Sequence, residues 1–131
     1  MKGVYKFFGT HVHNSIEMVV CYRGEMSYSI NDVKGTFKAG QILLTNSFDT
    51  HFYEHIEDAG IYIFVFDRSL LDDVLSKENL EFKNIVSLDE DSFAKFLSYI
   101  ESEYLKLDDY NLLERKAFVL SLFGKLSKYA L

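Results

Sequence analysis

The chain has 131 residues, of which 48% are apolar and 16% aromatic, so it is long and apolar enough to fold as one domain with its own core. This composition excludes a disordered chain, and no apolar run approaches the roughly eighteen residues of a membrane-spanning helix. The net charge of −6 argues against DNA binding by this chain alone, because that affinity depends on Lys and Arg neutralising phosphates. With one cysteine, Cys21, and no signal peptide predicted at the N-terminus, we expect a cytoplasmic protein.

The first 66 residues predict a series of short strands. Apolar, aromatic and β-branched segments alternate with turn residues, a pattern that is typical of a sandwich or barrel. The final predicted strand is apolar on both faces, so we expect it to be buried on both sides or to lie in a sheet under helices. The predicted strands are 4–8, 16–22, 26–30, 36–37, 41–45, 52–53 and 61–66.

From residue 69 onward the apolar spacing changes to that of helices. Ser69 is predicted to cap a short first helix, and residues 76–91 are polar and irregular. Residues 93–107 and 112–126 place apolar side chains three and four positions apart, which predicts two amphipathic helices. Asp91 or Ser92 is expected to cap the first of these helices and Asp108-Asp109 the second, and the turn at residues 108–110 is expected to join the two as a hairpin.

Three histidines and a glutamate form a candidate metal-ligand set. His11, His13 and Glu17 have the same parity, so on a strand their side chains would point to one face. His51 would have to arrive from a neighbouring strand. Imidazole and carboxylate ligands suit several divalent metals, and the sequence does not choose among them. His11, His13 and Glu17 can instead serve as hydrogen-bonding groups at the mouth of a barrel.

The spacing of these residues resembles the two cupin motifs. Residues 11–24 match the first motif, in which His-x-His is followed by Glu and then by Gly, and Gly40 and His51 fall in register with the second. More specifically, residues 8–75 resemble the N-terminal sensor domain of AraC-type bacterial transcription regulators, through EMVVCYRG at 17–24 and FKAGQILL at 37–44. Gln41 and Asn46 depart from the acidic residue and the proline that are usual in that family.

This resemblance implies a mainly β fold with C-terminal helices. A cupin-type double-stranded β-helix or barrel would occupy residues 1–68, and a helical tail over 69–131 would form a hairpin that packs on it within one structural domain. A segment that binds DNA would follow beyond residue 131, since the regulators carry helix-turn-helix units after the sensor domain and this chain contains none.

The function that the resemblance implies is effector sensing and dimerisation in a transcription regulator, without enzymatic activity and without a required cofactor. The barrel would bind a small-molecule effector, and the helices would form a homodimer. The effector residues are predicted to be His11, His13, Glu17, Tyr22, Arg23, Tyr28 and His51. A divalent metal, where one is held, would be bound by His11, His13, Glu17 and His51. The dimer interface is predicted to contain Leu112, Leu113, Leu120, Phe123 and Leu126.

Two alternatives stay open from the sequence. One is a stand-alone metal-dependent cupin enzyme of the dioxygenase or isomerase type, which would retain stoichiometric metal and depend on His51 for activity. The other is a pure dimerisation module with a filled barrel and no ligand. A phosphate-binding loop of the GxxxxGK type and a GxSxG nucleophile elbow are both absent from the sequence.

Overall fold

The computed structural model describes residues 2–8, 15–46, 49, 51–56, 58–72, 76, 81–107 and 111–131. The strands in these residues form two sheets. A five-stranded sheet has the order β1-β7-β2-β5-β8, and a three-stranded sheet has the order β4-β3-β6. The strand bounds are β1 Lys2–Phe8, β2 Ser15–Arg23, β3 Glu25–Ile30, β4 Val33–Lys38, β5 Gln41–Asn46, β6 His51–His55, β7 Gly60–Asp67 and β8 Ile85–Ser87.

Neighbouring strands are antiparallel except for β1, which pairs in parallel with β7. The two sheets face each other across a small apolar core. Val19 and Cys21 on β2 point into this core, as do Met26 and Ile30 on β3 and Phe37 on β4. Cys21 belongs to this core and is fully buried, and burial raises the pKa of its thiol. The interpretation of Cys21 as a small buried apolar residue is thereby confirmed.

The second and larger core lies on the outer face of the five-stranded sheet. Two helices, α1 (Glu90–Glu103) and α2 (Leu112–Leu126), cover this face. The ring centroids of Phe64 and Phe118 are 5.8 Å apart, and those of Phe66 and Phe123 are 5.6 Å apart. Strand β7 therefore has apolar side chains on both faces because it lies between the sheet interior and the helices, as its sequence predicted.

The predicted strands and the two long helices are all present in the structure, which confirms the fold class of a mainly β domain with C-terminal helices. The helix caps differ from the prediction. Asp89, rather than Asp91 or Ser92, caps α1 by accepting from the N–H of Ser92, and Asn111 caps α2. Asp67, rather than Ser69, caps a 3₁₀ turn at Arg68–Leu70.

Strand β8 lies within the expected helical tail 69–131, in the stretch 76–91 that was expected to be irregular. Its residues pair with β5, Ile42 opposite Val86 and Leu43 opposite Ile85, and so extend the five-stranded sheet by one edge strand. The backbone of Asn84 continues this pairing, since its carbonyl oxygen accepts from the N–H of Leu44 at 2.7 Å. The helical tail is therefore fastened to the barrel by main-chain hydrogen bonds as well as by apolar packing.

The two motif glycines adopt backbone conformations that favour glycine. Gly24 has φ +77° and Gly40 has φ +95°. A side chain at Gly24 would also overlap the backbone carbonyl of Asp58, whereas Gly40 has open space at the same position. These conformations give a physical reason for glycine at both points of the cupin-like pattern.

No helix in the described part of the chain is long and apolar enough to cross a membrane.

Candidate functional site

A cluster of three polar side chains joins the two sheets inside the barrel. Glu17 on β2 accepts a hydrogen bond from the hydroxyl of Tyr53 on β6 through Oε1. Its other oxygen, Oε2, lies 2.9 Å from Nε2 of His51, also on β6. The side chains of His51 and Glu17 are 23% and 18% exposed, so the cluster lies at the edge of the interior, where a ligand from solvent can reach it.

The strand pattern explains why these three side chains meet. Glu17 shares its parity with Val19 and Cys21, which point into the core between the sheets. On the facing sheet His51 lies opposite Ile30 and Tyr53 lies opposite Tyr28 in the β3–β6 register. Both β6 side chains therefore point inward. His51 reaches Glu17 across the barrel from the facing sheet, and not from a strand next to β2 as the sequence suggested.

The hydrogen-bond partners of His51 determine where its proton lies. Nδ1 is 3.0 Å from the backbone carbonyl oxygen of Asp49, and a carbonyl can only accept, so Nδ1 carries a hydrogen. The contact between Nε2 and Glu17 then requires one further proton, held either by the ring or by the carboxyl group. The pair consequently offers a ligand one exchangeable proton and one carboxyl group side by side.

Asp49 is itself held firmly. The backbone N–H of Asn46 donates to Oδ2 at 2.9 Å, and the amide of Asn31 donates to Oδ1 at 2.9 Å. These bonds, that of Asn46 above all, together with the nearby His51, hold the pKa of the Asp49 carboxyl below its usual value.

Two of the four predicted metal ligands are thus brought together, and the other two, His11 and His13, lie outside the described residues. Within the described residues no three His, Cys, Asp or Glu side chains converge into a metal site. The Glu17–His51 pair fits a divalent metal in donor type, and a histidine whose Nδ1–H is bonded to a carbonyl presents Nε2 in the form that ligates metals. The four-residue metal site stays a prediction.

Of the other predicted effector residues that the structure describes, Tyr22 and Arg23 lie apart from this cluster. Tyr22 lies on the opposite face of β2, where its ring packs 5.1 Å from that of Tyr62 on the helix side. Arg23 is exposed at the strand end and pairs with Asp58 at 3.3 Å. Tyr28 is on the inner face, beside Tyr53, and its ring lies over Gly35.

Tyr28 also lines a pocket of about 330 Å³ that opens between the β3–β4 hairpin and β8. Ile30, Asn31 and Val33 form the hairpin side of this pocket. Lys83, Asn84 and Ile85 form the other side. Because Tyr28 and Ile30 are the cross-strand neighbours of Tyr53 and His51, the pocket lies next to the polar cluster.

The predicted interface residues divide into exposed and buried ones. Leu112 and Leu113 in the first turn of α2 are 59% and 82% exposed. Leu120 is half-buried, and Phe123 and Leu126 are buried in the core between helices and sheet. A partner could touch the first two directly, whereas the last two act within the chain.

Tyr53 was not among the predicted site residues, although a signal for it was available. It lies two residues after His51, and on a strand residues i and i+2 share a face. With His51 on the inner face, Tyr53 must lie on the same face.

Comparison with known proteins adds two findings. The model of a protein family described as AraC-like ligand binding domain matches residues 4–123. Among solved structures, the AraC-like transcriptional activator CuxR is similar, with a TM-score of 0.62 and 12% sequence identity, over 88% of this chain and 42% of that one. At this identity the likeness concerns the fold, and the chain spans less than half the length of that activator. No curated protein matches the chain.

Proposed function

This chain belongs to the family of AraC-like ligand-binding domains, and we propose that it senses a small-molecule effector through the cluster of Glu17, His51 and Tyr53. Family membership confirms the resemblance predicted from the histidine, glutamate and glycine spacing. It also favours a regulatory domain over the stand-alone enzyme that was the alternative.

The observation that carries the proposal is the polar cluster between two apolar sheets. Keeping a carboxyl group and an imidazole in a largely apolar interior costs free energy, and well-packed apolar residues of similar size would often stabilise the fold more. Glu17 and His51 are nevertheless linked at 2.9 Å across the barrel, with Tyr53 beside them. Directed polar groups on an apolar wall are what a small-molecule site requires.

The neighbouring pocket supports a ligand of modest size. Its volume of about 330 Å³ lies at the lower end of the range of roughly 300–1,000 Å³ for small-molecule sites. Tyr28 and Asn31 supply hydrogen-bonding groups to it, and Ile30 and Ile85 supply apolar surface. We infer a ligand of mixed polar and apolar character.

A metabolite screen by thermal unfolding tests this function. A ligand at about a hundred times its Kd stabilises the folded chain by about 2.7 kcal/mol, which corresponds to a rise in Tm of about 10 °C for a chain of this length. Glu17→Gln should abolish most of the rise. Glu54→Gln is the matched control, because it makes the same chemical change on β6, next to Tyr53, at a side chain that is exposed on the outer side. Equal shifts in both variants would place the ligand elsewhere, and a screen without any shift would favour the filled dimerisation module.

A divalent metal at the Glu17–His51 pair is a second candidate for what the site binds. The preset Nδ1–H of His51 and the adjacent carboxyl oxygen support it. Dialysis against Zn²⁺ followed by metal analysis should give about one metal per chain, and His51→Ala should lower that ratio, whereas Glu54→Gln should not. A ratio that is unaffected by His51→Ala would remove the pair from the metal site.

We further propose that the chain dimerises through α2, with Leu112 and Leu113 as the exposed contacts. Two adjacent, strongly exposed leucines at the start of an otherwise packed helix support this, as does the prevalence of two-fold homodimers. Sedimentation should report a dimer that Leu113→Glu dissociates. Lys38→Gln changes the net charge by the same amount on β4, away from the helices, and should leave the dimer intact. A monomer at all concentrations would contradict the proposal.

Regulation of transcription is proposed for a longer protein, with this chain as its sensing part. The similar activator is more than twice as long as the region it shares with this chain. The acidic net charge of −6 supports DNA binding through a separate basic segment. Fusing this chain to a known DNA-binding domain that acts only as a dimer should restore operator binding, and the Leu113→Glu fusion should not.

A further inference from the structure

Asp49, two residues before His51, accepts hydrogen bonds from three separate parts of the chain. Its backbone carbonyl lies 3.0 Å from Nδ1 of His51. Its carboxylate accepts from the side-chain amide of Asn31 and from the backbone N–H of Asn46, each at 2.9 Å. The N–H of Asp49 donates back to the carbonyl of Asn46 at 3.0 Å. One residue thus joins the β3–β4 turn, the end of β5 and the start of β6.

We propose that Asp49 is a positioning residue of the effector site, which holds the His51 ring with Nδ1 protonated and Nε2 directed at Glu17. The proposal rests on the proposed function, because that function defines the site that Asp49 serves. Asp49 itself does not contact the effector. It acts through the orientation of its backbone carbonyl, which the two hydrogen bonds to its carboxylate keep in place.

The need for such a device follows from the exposure of His51. Its side chain is 23% exposed, so water competes for Nδ1. A neutral imidazole can carry its proton on either nitrogen, and the partner of one nitrogen decides the state of the other. A carbonyl that is fixed in front of Nδ1 excludes the form that would turn a lone pair toward the backbone, so Nδ1 keeps its hydrogen whether the proton between Nε2 and Glu17 lies on the ring or on the carboxyl group. An effector therefore meets a ring whose Nδ1–H is fixed, and it can exchange only the proton between Nε2 and Glu17.

The hydrogen bond from the Asn31 amide connects the Asp49 carboxylate to a tight turn. Asn31 and Asp32 have φ +49° and +69°, which defines a tight two-residue hairpin between β3 and β4. Asn and Asp are the residues other than glycine that tolerate this conformation best. A carboxylate bonded to the side chain of such a turn cannot move without breaking a charge-assisted hydrogen bond.

Two substitutions separate hydrogen bonding from charge. Asp49→Ala removes both hydrogen bonds of the carboxylate, so the backbone carbonyl is no longer held in one orientation. Asp49→Asn removes the charge but can keep both hydrogen bonds, since its oxygen accepts from the Asn46 N–H and its amide donates to the oxygen of a rotated Asn31 side chain. A positioning role predicts that the preference of His51 for a protonated Nδ1 is lost in Asp49→Ala and kept in Asp49→Asn. An electrostatic effect of the Asp49 charge on His51 predicts that this preference is lost in both variants.

The test is the protonation state of the His51 ring nitrogens in the 131-residue chain, by long-range proton–nitrogen NMR, with the His51→Gln spectrum identifying the signals. The spectra are recorded over a range of pH, so that the hydrogen on Nδ1 is followed both with and without a second proton on the ring. The unaltered chain should show a protonated Nδ1. Asp49→Ala should lose this preference, and its Nδ1 proton should exchange with water about tenfold faster, the factor expected for roughly one lost hydrogen bond. Asp49→Asn should resemble the unaltered chain.

Three results would overturn the proposal: an unprotonated Nδ1 in the unaltered chain, an unchanged ring in Asp49→Ala, or an Asp49→Asn ring that behaves like that of Asp49→Ala. Should Asp49→Ala fail to fold, Asn31→Gly removes the hydrogen bond from Asn31 without straining the turn, because glycine tolerates positive φ, and it should give a smaller acceleration of the same exchange. The spectra need no effector. A failed metabolite screen with an intact His51 result would therefore contradict the proposed function and leave the positioning of the ring established.

Discussion

Replacing Tyr53 by Phe removes one hydroxyl group from the polar cluster and keeps the aromatic ring. A hydrogen bond to a charged group contributes about 1.5–3 kcal/mol. The Glu17 side chain is 18% exposed, so water can replace part of the lost bond and the lower end of this range applies. With an unfolding entropy of about 2.1 cal/mol/K per residue, a loss of about 1.5 kcal/mol lowers the Tm of this 131-residue chain by about 5 °C.

A double-mutant cycle isolates the contact between Tyr53 and Glu17 from other effects of the substitution. Urea unfolding of Tyr53→Phe should show the loss of about 1.5 kcal/mol in the unaltered chain and a clearly smaller loss in a Glu17→Ala background. Tyr28→Phe, which removes the hydroxyl of the neighbouring side chain on β3, should lower the free energy of unfolding by the same amount in both backgrounds. If Tyr53→Phe is equally costly with and without Glu17, the two side chains do not interact and the site loses its third member.

Three further predictions concern the fold around the site. Gly24→Ala should cost about 2–4 kcal/mol and Gly40→Ala about 1–2 kcal/mol in urea unfolding, because both glycines have positive φ but only the first would meet backbone; equal costs would contradict this account. The hydroxyl of Tyr129 donates to Asp89 and holds the pKa of this carboxyl below its usual value of about 3.9. The ionised Asp89 carboxylate therefore stabilises the fold above that pH, and this stabilisation is lost as the pH falls below it. Asp89→Asn should flatten the acid side of a Tm–pH curve, and an unchanged curve would disprove the linkage. Phe123→Ala should destabilise the monomer by about 3–5 kcal/mol, since this ring is buried between helix and sheet; a cost under about 1 kcal/mol would return it to the predicted dimer interface.

Local sequence pattern was sufficient for most of the fold. Residues 61–66 are apolar on both faces, and this feature alone predicted a strand between the barrel interior and the helices. Strand β8 could not be predicted in the same way, because Ile85–Ser87 has three residues and no measurable period. It is a strand because β5 offers an unpaired edge, and that edge is a product of the tertiary fold.

The site was predictable to the extent that strand parity determines it. Parity placed Glu17 on an inner face, and it could also have placed Tyr22 on the opposite face, where the structure has it. The sequence grouped Glu17 and His51 in one ligand set, but the expected arrival of His51 from a strand next to β2 was wrong, since pairing across a barrel depends on which sheet faces which. That arrangement involves residues 34 positions apart in the sequence and leaves no local signal.

The position of Glu17 on β2 connects effector binding to the helices. Glu17 points into the barrel, whereas its neighbours Ile16 and Met18 belong to the core that α1 and α2 share with the sheet. A ligand that draws Glu17 away from His51 therefore acts on a strand whose other face carries the helices. It changes their arrangement only if it binds one arrangement more tightly than the other, and the shift is bounded by that difference in affinity. Hydrogen exchange in α2 should then respond to an effector in the unaltered chain, but not in Glu17→Gln. A bound effector that leaves α2 unchanged would mean that the barrel binds without signalling through this sheet.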